Sequence, residues 1–202
     1  LPWHRRTLIM GILNVTPDSF SDGGNFATIE AAIAHARQLV ADGADIIDVG
    51  GESTRPAGVY AAGADYVTAA EEKARVLPII SRLVQELDVP ISIDTYKAEV
   101  AEAAIEHGAH IVNDVWGLKR DPEMANVVAR HDVPVVVMHN RERTHYEGPL
   151  MREIINDLWK SVRIAHEAGV REERIILDPG IGFAKTYEHN IEVMQQLQQL
   201  TY

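Results

Sequence analysis

The sequence has no cysteine at all. A disulfide framework, a thiolate zinc site and a cysteine nucleophile are therefore excluded. Aromatic residues are sparse at 6%, and positive charge is scarce: 19 Lys plus Arg stand against 30 Asp plus Glu, a formal net charge of -11. Such acidity argues against the electrostatic footprint of a nucleic-acid binder and against a polybasic membrane patch. No apolar run approaches the ~20 residues of a bilayer span, and no charged-then-apolar leader precedes a cleavage site. What is there is an ordinary globular composition, with 202 residues, 46% hydrophobic and 24% charged. That is enough chain for one large domain or two small ones. The expectation is a soluble, cytoplasmic protein with no nucleic-acid or membrane partner.

Strand and helix signals alternate along the chain. The uninterrupted apolar run Leu8 to Leu13 predicts a strand covered on both faces, as in a parallel sheet. A Gly/Asp/Ser loop from Asn14 to about Ala27 follows. Thr28 then caps a helix with Ile29, Ile33, Ala36, Leu39 and Val40 at helical spacing. Gly43 ends it, and Ala44 to Val49 is the second strand. Thr68 with Glu71 gives a capping-box signature for a helix reaching about Leu87. Val89 to Ile93 is the third strand, and a helix runs from Lys97 to His107. Ala109 to Val112, Val133 to Met138 and Arg174 to Leu177 read as the remaining strands. Helices are expected near Pro122 to Arg130, over Met151 to Ala168 and from about His189. The segments Gly43 to Asp48 and Gly108 to Asn113 use the same helix-stop, strand and polar-end unit, a short internal repeat.

Six strand–helix units in unbroken alternation favour a parallel α/β sheet. Length alone favours an open doubly wound sheet, because a (β/α)8 barrel typically takes about 250 residues. The polar residues argue the other way. Asn14, then Asp48 and Glu52, Asp94, Asn113 and Asp114, His139 and Asn140, and Asp178 follow the strands in turn. Any one of them is explained by a helix cap or a turn. In a barrel all of them converge on one mouth, whereas an open sheet brings together only those beside its switch point. The expected fold is therefore a (β/α)8 TIM barrel, with about six βα units in this chain.

Asp94 and Asp178, joined by the amide of Asn113, offer acceptors and one donor pair. They suit a planar ligand with adjacent N–H donors, such as an aminopyrimidinone edge, which a carboxylate grips as it would a guanidinium fork. A metal cage is the rival reading. Carboxylates without His or Cys spacing would hold Mg²⁺ or Ca²⁺, but these lack the spacing of a calcium loop. The loops Thr16 to Gly24 and Gly50 to Pro56 carry hydroxyls, Arg55 and glycines, which suit an anionic group arriving near a divalent ion. Ordinary turns would also have this composition. Pro179 to Thr186 is not a Walker loop, because its spacing is short and Ala184 precedes Lys185. His35, His107, His131 and His166 are scattered on helices and read as solvated. His139 stands at a strand end, though a lone His is more often structural. No Gly-x-Ser-x-Gly elbow is present. Trp3, Trp116 and Trp159 read as packing residues.

These strings together resemble a known family. Ile9-Met10-Gly11-Ile12-Leu13-Asn14-Val15-Thr16-Pro17-Asp18-Ser19-Phe20-Ser21-Asp22-Gly23-Gly24 is similar to one signature of the dihydropteroate synthases, and Asp48-Val49-Gly50-Gly51-Glu52-Ser53-Thr54-Arg55-Pro56 to the other. Ile93 to Lys97, Val112 to Asp114, Met138-His139 and Asp178 to Phe183 follow in order across nearly the whole chain. The resemblance implies a single pterin-binding barrel domain over residues 1–202, incomplete at its C-terminal side. Its implied reaction joins 6-hydroxymethyl-7,8-dihydropterin pyrophosphate to p-aminobenzoate, giving 7,8-dihydropteroate and pyrophosphate for folate synthesis. By position, Asp94, Asn113 and Asp178 would hold the pterin edge and Met138 would pack on its ring. Asn14 would bind Mg²⁺, Thr54 and Arg55 would lie on the pyrophosphate side, and Asp22 would arrive with the first loop. Phe20, Pro56, Phe183 and Lys185 would line or support the p-aminobenzoate pocket, where sulfonamides compete.

The family's last two strands carry a Ser-Arg-Lys and an Arg-x-His segment, and this chain ends at Tyr202 before either. The expectation is thus a partial sequence of a homodimeric enzyme, with negligible synthase activity in residues 1–202 alone. Two alternatives stand beside it. A pterin-binding methyltransferase would keep the pterin-edge residues but not the Ser53-Thr54-Arg55-Pro56 loop. A non-catalytic pterin-binding protein would keep Asp94 and Asp178 and lose turnover.

Overall fold

The computed structural model describes residues 6–15, 26–52 and 67–201. Its elements are β1 (Met10–Asn14), α1 (Phe26–Ala41), β2 (Ile46–Gly50), α2 (Ala69–Glu86), β3 (Ile91–Asp94) and α3 (Ala98–Glu106). Then come β4 (Ile111–Asp114), α4 (Met124–His131), β5 (Val135–Met138), α5 (Leu150–Glu167), β6 (Ile175–Asp178) and α6 (Tyr187–Gln195). The strand order is β1-β2-β3-β4-β5-β6, and β1–β2, β2–β3 and β5–β6 pair in parallel. A doubly wound sheet reverses its order at a switch point. This sheet does not reverse, so it follows the progression of a (β/α)8 barrel through six of its units.

Local chemistry explains most boundaries. At α2 the expected capping box forms: Glu71 N donates to Thr68 Oγ1 at 3.2 Å and Thr68 N donates to Glu71 Oε2 at 2.9 Å. The helix then continues through Pro78, which ordinarily breaks one. Val76, Ile79, Ile80 and Leu83 are almost wholly buried along its inner face, and that packing offsets the lost hydrogen bond. α6 begins earlier than the sequence suggests because Thr186 caps it, with His189 N donating to Thr186 Oγ1 at 3.2 Å.

Several strands end one or two residues later than hydrophobicity predicts. Asn14, Gly50, Asp94, Asp114 and Asp178 are strand residues rather than the first loop residues. Backbone pairing does not depend on side-chain polarity, so the ladder outlasts the apolar run. Asp48 lies well inside β2, in register with Ile12 and Ser92, as the expected strand Ala44 to Val49 has it; its grouping with the residues that follow the strand is corrected. In this chain Ile12 of the edge strand β1 is 61% exposed, whereas all five residues of β2 are buried.

Two compact units divide the described residues, one ending at Val112 and the other beginning at Asn113. In the first, Ile33, Ile47, Val49, Ile91 and Ile93 are fully buried. In the second, Leu150, Met151, Ile154, Leu158 and Val193 cluster, with Tyr146 and Leu200 packed against them. No helix among the described residues is long and apolar enough to cross a membrane.

Candidate active site

In the first unit, β1, β2 and β3 bring their carboxyl ends into one row. Asn14 is in register with Gly50, and Gly50 with Asp94. Parallel neighbours in register send their side chains to the same face of the sheet. Gly50 has no side chain, so the two polar ones flank a bare stretch of backbone. A Cβ added there would sit 3.3 Å from Asp94 Oδ2 and 3.6 Å from Asn14 Oδ1. The two side chains thus close over the buried glycine so tightly that even a Cβ would crowd the Asp94 carboxylate.

The chain leaving β2 is braced from below. Lys97 Nζ donates to Glu52 Oε2 and to Glu72 Oε2, and Tyr96 Oη donates to Glu52 Oε1 at 3.2 Å. Arg75 Nη1 donates to Gly51 O at 2.8 Å. Glu72 is 1% exposed, and burial raises its carboxyl pKa against the pull of Lys97. Burial opposes the Lys97 charge too, but the two carboxylates outweigh it and leave its pKa raised. Sequence reading passes over this network. Its one signal is spacing, since Glu72 lies on the same helical face as Val76, Ile79, Ile80 and Leu83.

In the second unit, Met138 and Asp178 are register partners at the ends of β5 and β6. Met138 is buried and Asp178 half-buried. Gly180 N donates to Asp178 Oδ1 at 2.7 Å, so this carboxylate is oriented before any ligand arrives, and His139 N donates to the Asp178 backbone O at 2.9 Å. Asn113 is half-buried within β4. Its neighbour Asp114 is fully buried and accepts from Trp116 N at 2.8 Å and Leu118 N at 2.7 Å. Burial pushes the Asp114 carboxyl up to about 6. It closes a turn and is not available to a ligand.

Phe183 is half-buried in the turn after β6. Lys185 comes from the same turn, but its ammonium faces the protein. Nζ donates to Gly180 O at 2.9 Å, to Phe183 O at 3.0 Å and to His139 Nδ1 at 3.0 Å. Burial lowers the Lys185 pKa to about 8. Burial, with the Lys185 charge second, lowers that of His139 to about 3. Of the other residues singled out in the sequence, Phe20, Asp22, Thr54, Arg55 and Pro56 lie outside the described residues.

Among the described residues no group of three His, Cys, Asp or Glu side chains could hold a metal ion. A tightly caged ion is therefore unsupported there. A single amide oxygen such as that of Asn14, at the carboxyl end of β1, is the kind of ligand Mg²⁺ takes, since it keeps most of its waters and adds one or two protein oxygens plus substrate phosphates.

Comparison with known proteins identifies the family. The pterin binding enzyme family matches residues 10–202. The dihydropteroate synthase of Bacillus subtilis is 56% identical over 198 residues, covering 98% of this chain and 67% of that protein. That of Clostridium beijerinckii is 55% identical over 195 residues, covering 96% and 70%. The chain belongs to the dihydropteroate synthase family. A crystal structure of the dihydropteroate synthase from Clostridium difficile, determined with pteroic acid, shares 54% identity and a TM-score of 0.91 over 97% of this chain and 72% of that one. The dihydropteroate synthase of Xanthomonas albilineans with 4-aminobenzoic acid shares 43% identity and a TM-score of 0.88, over 97% and 69%. A dihydropteroate synthase therefore supplies the frame for the two rows of strand-end residues.

Proposed function

We propose that this chain forms the single pterin-binding barrel domain of a dihydropteroate synthase. The enzyme joins 6-hydroxymethyl-7,8-dihydropterin pyrophosphate to p-aminobenzoate and releases pyrophosphate. The observation that carries the proposal is the placing of Asn14, Asp94, Met138 and Asp178 at carboxyl strand ends, in a chain 56% identical to a named synthase. The Ser53-Thr54-Arg55-Pro56 loop and the identities of the relatives weigh against a methyltransferase and against binding without turnover. A cytoplasmic, homodimeric setting belongs to the same proposal and rests on the family resemblance.

In this reading Asp94 and Asp178 accept the ring N–H and exocyclic NH2 donors of the pterin, and Asn113 pairs with the remaining edge. Met138 supplies an apolar, polarizable wall for the ring. The bond from the pterin methylene to the pyrophosphate oxygen breaks first. The cation left at the methylene is conjugated into a ring held by two carboxylates, an arrangement that stabilises positive charge where it develops. The arylamine nitrogen then attacks the methylene and loses its proton. Because the cation is a strong electrophile, no powerful general base is needed; water must instead be kept out. Thr54 and Arg55 bind the departing pyrophosphate, Asp22 closes in with the first loop, and Phe20, Pro56, Phe183 and Lys185 line or support the arylamine pocket. Mg²⁺ held by Asn14 would supply Lewis-acid stabilisation of the leaving phosphate charge.

The test is calorimetry with a pterin ligand on the full-length protein, alongside pyrophosphate release with both substrates. Asp94→Asn and Asp178→Asn are each expected to weaken pterin binding by about 2–4 kcal/mol, as a charge-assisted pair is lost in a shielded site. Unchanged affinity in both variants, or no 7,8-dihydropteroate formed by the wild-type protein from both substrates, overturns the assignment.

A further inference from the structure

The turn after β6 is organised around a buried cation whose three acceptors are all neutral. Lys185 is 8% exposed, and among the described residues it forms no ion pair. Two acceptors are carbonyls of its own turn, Gly180 O and Phe183 O; the third, His139 Nδ1, belongs to the end of β5. An ammonium can only donate, so Nδ1 must present its lone pair, and His139 is the neutral tautomer protonated at Nε2. Its ring is completely buried, so the neutral form is also the one its surroundings favour.

The same stretch is held on its other flank. Tyr146 stacks against the His139 ring at 6.1 Å and donates from Oη to Ala184 O at 2.9 Å. Ala184 itself is held in the left-handed region at φ 47. The two residues that follow Phe183 are therefore both tied back to the segment following β5, and Lys185 also holds the Phe183 carbonyl. Without the Nδ1 lone pair, a buried ammonium would keep only the two carbonyls that it is supposed to fix.

We propose that His139 is a positioning residue: through Lys185 it fixes the turn that presents Phe183 to the arylamine substrate. It touches no substrate and moves no proton in the reaction. The substrate side of this inference rests on the synthase reading above, while its structural side does not.

Three variants of the full-length protein test it. His139→Leu deletes the acceptor, whereas His139→Asn keeps an oxygen close to the place of Nδ1. The Leu variant is expected to raise KM for p-aminobenzoate about tenfold, with kcat and pterin affinity each changed less than about threefold. The Asn variant is expected to recover most of that loss. In a Lys185→Met background, His139→Leu is expected to change KM less than about twofold, because the contact is already gone. Amide hydrogen exchange over residues 180–185 needs no substrate; it is expected to rise in the Leu variant and to stay near wild type in the Asn variant. Equal KM losses in both variants, a fall in kcat with KM unchanged, or unaltered exchange in the Leu variant overturns the positioning role. Absence of turnover in the wild-type protein sinks the synthase reading instead, and the exchange measurement still decides the contact.

Discussion

Gly180→Ala is the sharpest perturbation of this turn. Gly180 has φ 70, and an added Cβ would lie 2.1 Å from His139 O, where real Cβ contacts stay beyond 3.0 Å. The first cost is conformational, about 1–2 kcal/mol for placing a Cβ in the left-handed region. The second is steric, and it cannot be relieved by a rotamer because the obstacle is backbone at the end of β5. His139 N already donates to Asp178 O at 2.9 Å, so the carbonyl is fixed from its own residue. Opening the contact to a tolerable distance strains or breaks the 2.9 Å bond from Lys185 to Gly180 O and the 2.7 Å bond from Gly180 N to Asp178 Oδ1. At about 1 kcal/mol each, with overpacking of similar size, the total comes to about 4–5 kcal/mol. Gly182→Ala is the matched control: its φ is 84, but nothing lies within 4 Å of the added Cβ. It should cost only the conformational part, about 1–2 kcal/mol. Urea denaturation of both full-length variants at unchanged m-value measures the difference. Equal midpoints would refute the reasoning, for they would show that the turn can yield without loss. The Gly180→Ala protein should also bind a pterin more weakly, since Gly180 N orients the Asp178 carboxylate.

Two other perturbations probe buried charge away from that turn. Lys97→Met leaves Glu72 buried without its cation and should destabilise by about 3–5 kcal/mol in urea or thermal melts; adding Glu72→Gln should recover a large part, and no recovery would argue against a desolvated carboxylate as the cause. Asp114 has its folded-state pKa raised by burial to about 6 against an ordinary value of 3.8, so between these values the folded chain holds a proton that the unfolded chain has lost. Its stabilising contribution is full below pH 3.8 and is lost as pH rises through about 6. The advantage of wild type over Asp114→Asn should therefore shrink by about 3 kcal/mol between acid and neutral pH; a difference that does not vary with pH would contradict the burial argument.

The alternation of apolar runs with amphipathic segments is enough to read six parallel strands, because buried parallel strands and amphipathic helices leave different periods in a sequence. The polar residues after each run separate a barrel progression from a doubly wound one, and the strand order agrees. The limits have equally definite causes. Ile12 reads as a core residue, but burial depends on what covers a strand, and its own run cannot report that. Asp48 looks like a strand end because a carboxylate usually closes an apolar run; in the sheet it is an interior residue in register with Ser92. Thr186 escapes notice as a cap because the familiar capping box has Glu or Gln at its third helical position, and here His189 fills that place.

The candidate site shows a further asymmetry between what sequence and structure make visible. A reading of side-chain chemistry picks out groups that can act, and it finds Asn14, Asp94, Asn113 and Asp178. It gives less weight to residues that act by having nothing to offer. Gly50 lets the Asn14 and Asp94 side chains approach the strand between them, and Gly180 lets a backbone N–H reach the Asp178 carboxylate. Lys185 shows the reverse case, a charged group that looks like a ligand and is spent on two carbonyls and an imidazole. Substitutions at these three positions alter no group assigned to the pterin. They are expected to act by displacing a neighbouring carboxylate or carbonyl, and unchanged pterin and p-aminobenzoate affinities in all three variants would refute that.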